Sequence, residues 1–183
     1  VQALNVIDTH QDKFNLIGIS ANQNIDLLIK QAKLYNPKYV CIVDESYKKE
    51  LCNSLDLGRY KVLSGRSGLL ELASINDADV MLNALVGASG MEPTIHSINS
   101  GINVALSNKE SLVMAGEIIN SRLDSMGVKI YPVDSEHSAI WQCLVGEKNK
   151  QINKIILTGS GGPFRTKKIS EFNMINKEQA LKH

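Results

Sequence analysis

The chain predicts an α/β fold, a doubly wound parallel sheet followed by the start of a second α/β domain, and three observations carry that prediction. Short β-branched runs alternate with segments whose apolar residues recur at helical spacing. Polar motifs rich in hydroxyls and carboxylates stand at the ends of those runs, where such folds place their ligands. Hydrophobic residues make up 43% of the 183, enough for a sizeable core, with no repeat or low-complexity tract.

Taken in order, the elements follow from local pattern. Val1 to Gln11 carries apolar residues at Val1, Leu4, Val6 and Ile7, which predicts a short helix. Phe14 to Ser20 reads as a buried strand. Ile25, Leu28, Ile29 and Ala32 then share one helical face, with Asn24 as cap and Asn36-Pro37 as stop. Tyr39 to Val43 supplies a strand, Ser46 to Ser54 a helix, Tyr60 to Leu63 a short strand and Leu69 to Ala73 a helix. Asp79 to Leu85 reads as a strand, and Pro93 suits a first helical position. A strand over 102–106, a long helix from Asn108 to Met126 and a strand over 128–133 complete the series. Such alternation predicts parallel pairing. The polar run Gly146 to Lys150 separates two apolar stretches, so the domains are expected over 1–149 and 150–183, the second opening on a strand at Lys154-Ile155-Ile156.

The net charge of +1, from 20 basic and 19 acidic residues dispersed along the chain, argues against a nucleic-acid arm or a membrane-surface patch. A charged ligand has to be met locally. Cys41, Cys52 and Cys143 are odd in number and lack paired spacing, and Cys41 and Cys143 lie in apolar contexts. Buried free thiols in a reducing, cytoplasmic compartment are therefore expected rather than a disulfide framework or a zinc site. No membrane-length apolar run and no basic-plus-apolar leader occur in these residues. An organelle leader would have to sit on a longer parent chain.

The chemistry concentrates at three expected strand ends. In Asp134-Ser135-Glu136-His137 two carboxylates flank a hydroxyl. Oxygen donors two residues apart on an extended segment point to one side, so Asp134 and Glu136 can converge on a hard dication such as Mg²⁺ or Mn²⁺. The same residues suit a helix start, with Asp134 as N-cap of Ser135 to Leu144 and Glu136 in its first turn. Ser107-Asn108-Lys109-Glu110-Ser111 fits a capping box between Ser107 and Glu110. Lys109 is unfavourable at a helix N-terminus by about 0.3–1 kcal/mol unless an anion compensates, and beside a metal its ammonium could polarise a carbonyl. Leu157 to Arg165 is glycine-rich, but Pro163 and Phe164 replace the Gly-Lys-Ser/Thr of a P-loop. A nest of its N–H groups with the Ser160 hydroxyl could hold a phosphate, or the segment is a flexible turn. His137 either orients its neighbours through a ring nitrogen or serves structure alone.

These strings, in this order and with Asn83-Ala84-Leu85-Val86-Gly87-Ala88-Ser89-Gly90 before them, resemble the 1-deoxy-D-xylulose 5-phosphate reductoisomerase family. The resemblance runs through the whole chain and takes in about half of the family's length. It implies a Rossmann-like NADPH-binding domain over 1–149, the start of a catalytic domain over 150–183, a Mg²⁺ or Mn²⁺ ion, and a homodimer as full-length protein. The implied reaction converts 1-deoxy-D-xylulose 5-phosphate to 2-C-methyl-D-erythritol 4-phosphate in non-mevalonate isoprenoid biosynthesis. Asp134 and Glu136 are implied as metal ligands, Lys109 as a catalytic and substrate-binding residue, Ser135 and Ser160 as substrate contacts, and Asn108 and Glu110 as neighbours of NADPH. Asn22, Gln23 and Asn24 would meet the cofactor where the family often has Gly-Lys-Asn. Gln23 thus removes a cation that would face the 2′-phosphate, and Asn24 also suits a helix cap. The lack of an acid at that place favours NADPH over NAD. The family's first strand and glycine-rich loop are expected before Val1 and its third carboxylate ligand after His183, so the 183 residues alone are expected to be inactive. A metal-free NAD(P)-dependent dehydrogenase and a non-catalytic scaffold are the alternatives.

Overall fold

The computed structural model describes residues 2–148, 151–156 and 162–182. Packing divides them into a unit that ends at Ser138 and a unit that begins at Ala139. The first contains α1 (Gln2–Thr9), β1 (Gly18–Ala21), α2 (Ile25–Tyr35), β2 (Tyr39–Ile42), α3 (Lys48–Ser54), β3 (Lys61–Ser64), α4 (Gly65–Ala73), β4 (Val80–Asn83), α5 (Met91–Asn99), β5 (Asn103–Leu106), α6 (Lys109–Met126) and β6 (Ile130–Pro132). Short 3-10 turns over Glu45–Tyr47 and Gly87–Gly90 lead into α3 and α5.

All strand pairs are parallel, as expected, but the six strands form two sheets of three, ordered β1-β2-β3 and β4-β5-β6, rather than one. Among the described residues no ladder joins β1 to β4. The first sheet is wound on both sides. Val40 and Ile42 of β2 meet Ile25, Leu28 and Ala32 of α2 and Leu51 of α3, while Tyr39 and Cys41 point the other way onto Leu63 and Leu69. Burial pushes the Cys41 thiol up to about 12, which leaves it protonated and unreactive. All three cysteines are free, but Cys143 is exposed and Cys52 half-buried, contrary to expectation. In the second sheet Val104 and Leu106 of β5 pack on Ile98 of α5 and on Ala115 and Ile119 of α6.

Boundaries shift for identifiable reasons. β1 begins at Gly18 rather than Phe14 because its partner β2 begins level with it, Gly18 opposite Tyr39. α4 begins at Gly65 rather than Leu69. There a positive φ of 75° turns the chain from β3 straight into the helix, and the Glu45 carboxylate occupies the space that a side chain would need. α6 runs its expected course with a kink at Ala115 (φ −135°, ψ 24°).

Helix α7 (Ser135–Leu144) begins in the first unit and continues into the second. The second unit otherwise holds 3-10 turns over Gly162–Phe164 and Ile169–Met174 and a short α8 (Lys177–Ala180), which Asn176 and Gln179 cap reciprocally. The expected strand at Lys154-Ile155-Ile156 does not form. Those residues are irregular, since a strand needs a hydrogen-bonding neighbour and they have none among the described residues. No helix among the described residues is long and apolar enough to cross a membrane.

Candidate functional site

Register brings the polar motifs to one edge. Asn83 of β4 stands opposite Leu106 of β5, and Leu106 opposite Pro132 of β6. The residues that follow each therefore emerge side by side at the carboxyl ends of three parallel strands. Asn83 ties the first of these ends together. Its Nδ2 donates to the Gly90 carbonyl at 2.7 Å and to Thr94 Oγ1 at 2.8 Å, and its Oδ1 accepts from the Leu85 N–H at 3.1 Å.

Asn108 extends that network and leaves none of its amide over. It is 1% exposed. Its Nδ2 donates to the carbonyls of Leu85 (2.7 Å) and Gly87 (2.9 Å), and its Oδ1 accepts from the N–H of Ser111 (3.0 Å) and from the Ser111 hydroxyl. Asn108, not Ser107, is therefore the N-cap of α6, and the expected Ser107–Glu110 capping box does not form. A buried amide has to satisfy both of its ends, and capping does so for the oxygen. Gly90 makes the approach possible, because a Cβ there would lie 2.6 Å from Asn108 Cγ.

The Asn108 cap fixes the start of α6, and the next side chain, Lys109, reaches across to the end of β6. Its Nζ lies 2.7 Å from Asp134 Oδ2 and 3.6 Å from Glu136 Oε2. Asp134 Oδ1 contacts His137 Nδ1 at 2.7 Å and, more loosely, the His137 N–H at 3.5 Å. Asp134 thus opens α7 and at the same time pairs with the Lys109 ammonium. Its side chain is 11% exposed, against 51% for Lys109 and 51% for Glu136, so one anchored carboxylate is flanked by two groups open to solvent. The Lys109 ammonium, and next to it His137, hold the Asp134 carboxyl well below the usual carboxylate range. Asp134 in turn raises the Lys109 ammonium above its ordinary value. Beneath them lies a hollow of about 60 Å³ floored by Leu106, Leu112, Ile130 and Pro132. Small-molecule pockets run to roughly 300–1,000 Å³, so these residues form one wall of a site rather than an enclosure.

Other expected site residues are distributed differently. Ser135 is exposed at the start of α7, beside the carboxylates, and Glu110 is half-buried in the first turn of α6. Asn22, Gln23 and Asn24 are exposed at the carboxyl end of β1, on the first sheet. Asn24 caps α2 through the Leu27 N–H at 3.2 Å, and Gln23 Nε2 donates to Asp44 Oδ2 at 3.1 Å. Ser160 lies outside the described residues. Sequence reasoning gave no role of its own to Asn83. Its signal is an amide closing an otherwise apolar strand, which has to find partners when buried.

Oxygens of Asp134 and Glu136 both face the Lys109 ammonium, at 2.7 and 3.6 Å, and carboxylate oxygens are of the type that a hard dication takes. They supply two donors. Among the described residues no group of three His, Cys, Asp or Glu side chains gathers.

Comparison with known proteins gives two family matches. Residues 1–116 match the family described as 1-deoxy-D-xylulose 5-phosphate reductoisomerase, and residues 130–183 match the C-terminal domain described for the same enzyme. A reductoisomerase of that name from Clostridium perfringens is 45% identical over 100% of this chain and 48% of its own length. One from Chloroherpeton thalassium is 45% identical over 99% and 47% respectively. Among solved structures, the chain is similar to the Zymomonas mobilis reductoisomerase in complex with NADPH, with a TM-score of 0.86, 36% identity and coverage of 98% of this chain and 47% of that one. It is also similar to a reductoisomerase in complex with NADPH, fosmidomycin and magnesium, with a TM-score of 0.82 and 31% identity over 98% of this chain and 47% of that one. The chain spans about half the length of the relatives it matches.

Proposed function

This chain belongs to the 1-deoxy-D-xylulose 5-phosphate reductoisomerase family, and from that premise we propose that the full-length protein performs the family's reaction, converting 1-deoxy-D-xylulose 5-phosphate to 2-C-methyl-D-erythritol 4-phosphate. The observation that carries the proposal is the convergence of Lys109, Asp134 and Glu136 at the carboxyl ends of β5 and β6. Asp134 and Glu136 would hold a Mg²⁺ or Mn²⁺ ion, and Asn22, Gln23, Asn24 and Glu110 would line the NADPH site, with Asn108 shaping it from behind. When bound, NADPH supplies hydride and the metal supplies positive charge at the substrate's oxygens.

The chain's own residues contribute position and charge. Lys109 Nζ donates a charge-assisted hydrogen bond to a substrate oxygen as negative charge develops there. The Ser135 hydroxyl, one residue from each carboxylate, orients the sugar phosphate, and Ser160 is proposed to do so from the second domain, taken as 150–183. His137 holds Asp134 in one rotamer, as outer partners of metal-ligating groups do. β1 and β4 each keep an edge with no strand neighbour among the described residues. The working protein is a cytoplasmic homodimer on this reading.

Asp134→Asn and Glu136→Gln, each in the full-length protein with Mn²⁺ and NADPH, are expected to lower turnover at least about tenfold without a matching loss of folding. Wild-type turnover in both would mean that the carboxylates serve only the start of α7.

A further inference from the structure

Lys109 Nζ already stands where the two carboxylates meet, 2.7 Å from Asp134 Oδ2 and 3.6 Å from Glu136 Oε2. The other Asp134 oxygen is taken by His137 Nδ1 at 2.7 Å, so Oδ2 is the oxygen that faces Glu136. A divalent cation held by Asp134 would have to share the neighbourhood of the Lys109 ammonium, which lies 2.7 Å from Oδ2, and two cations in one such neighbourhood repel.

We propose that Lys109 is a displaceable occupant of the metal position. Its ammonium offsets part of the negative charge of Asp134 and Glu136, a divalent cation expels it, and the expelled Nζ becomes the donor that meets the substrate. The geometry suits such a move. The backbone of Lys109 is pinned by the Asn108 cap, whereas its side chain is half exposed and ends in a compact charge on a flexible stem. The inference rests on the assignment of Asp134 and Glu136 as metal ligands and goes beyond it. Metal affinity, and not turnover alone, comes to depend on a residue that is no ligand.

The test is Mn²⁺ binding to the full-length protein without substrate or NADPH, followed by electron paramagnetic resonance of the free ion. Wild type, Lys109→Met, Lys109→Gln and Asp134→Asn are compared after circular dichroism has established folding. Asp134→Asn is expected to weaken Mn²⁺ at least about tenfold, and both Lys109 variants to bind it at least about threefold more tightly than wild type. If Asp134→Asn weakens Mn²⁺ while both Lys109 variants bind it no better than wild type, the displacement idea is overturned and the metal assignment stands. Wild-type Mn²⁺ affinity in Asp134→Asn overturns the metal assignment and the displacement idea with it.

Discussion

Helices cover both faces of the first sheet, and its middle strand β2 is buried at every position. Among the described residues the second sheet has α5 and α6 on one face only. On the other, Leu82, Ala105 and Tyr131 lie in one register row, with Val80 alongside, and Val80, Leu82 and Tyr131 are all exposed. Yet Lys109, Asp134 and Glu136 gather on this half-covered sheet. In the first sheet the polar residues at the strand ends are engaged locally: Asn24 accepts from the Leu27 N–H, Asp44 from the Ser46 N–H, and Gln23 donates to Asp44. In the second, buried amides close the loops internally and push the charged groups outward. Among the described residues, the first sheet is packed on both faces and the second on one, and the Lys109, Asp134 and Glu136 cluster stands at the carboxyl end of the second.

Truncating one apolar side chain on each sheet gives the largest expected contrast. Leu28 is 1% exposed and Leu82 44%. Leu28→Ala should cost about 3 kcal/mol in the full-length protein, for lost burial and an unfilled cavity. Leu82→Ala should cost at most about 1 kcal/mol. Midpoints of chemical denaturation measure both. An equal cost at the two positions would break the contrast by showing that the open face of the second sheet is covered by further chain.

A smaller contrast lies between two asparagines that do the same local work. Asn24 and Asn108 both cap a helix, but only Asn108 also satisfies the carbonyls of Leu85 and Gly87. Asn24→Ala should cost about 1 kcal/mol, the ordinary worth of a cap. Asn108→Ala should cost about 2–3 kcal/mol, because partly buried carbonyls lose their donor as well. Equal losses would mean that water replaces the Asn108 amide at no cost.

The same contrast explains what could be read in the sequence. Ile25, Leu28 and Ala32 announce α2 because period and burial coincide there, and Asn24 announces its cap because it is local. The two parallel sheets were legible from alternation. Their separation was not, since pairing is a property of neighbours in space. The site was legible in part. An anion near Lys109 could be inferred from the unfavourable place of a lysine at a helix start, but the spacing argument for Asp134 and Glu136 assumed an extended segment, whereas Glu136 lies in the first turn of α7. The Asn108 cap was misplaced by one residue because the deciding contacts, to Leu85 and Gly87, lie more than twenty residues away in sequence. His137 was ambiguous alone, and its 2.7 Å contact with Asp134 could not be foreseen from its place in the sequence.

The smallest expected effect concerns Gln23, for which a cofactor contact is proposed. Asp44 is held below the ordinary carboxylate value chiefly by the Ser46 hydroxyl, then by the Ser46 N–H, and least by Gln23. A depressed carboxyl stabilises the fold above its unfolded value of about 3.9, and that contribution is lost as the pH falls through the folded value. Ser46→Ala should therefore move the Asp44 midpoint upward, and Gln23→Ala should move it upward by less, both read from the Asp44 carboxylate carbon by NMR titration in acid. The order matters for function. A Gln23 amide that contributes little to Asp44 can leave its 3.1 Å hydrogen bond and turn toward a ribose or its phosphate. If Gln23→Ala shifts Asp44 more than Ser46→Ala does, Gln23 is committed to the fold, and the cofactor contact proposed for it has to pass to Asn22.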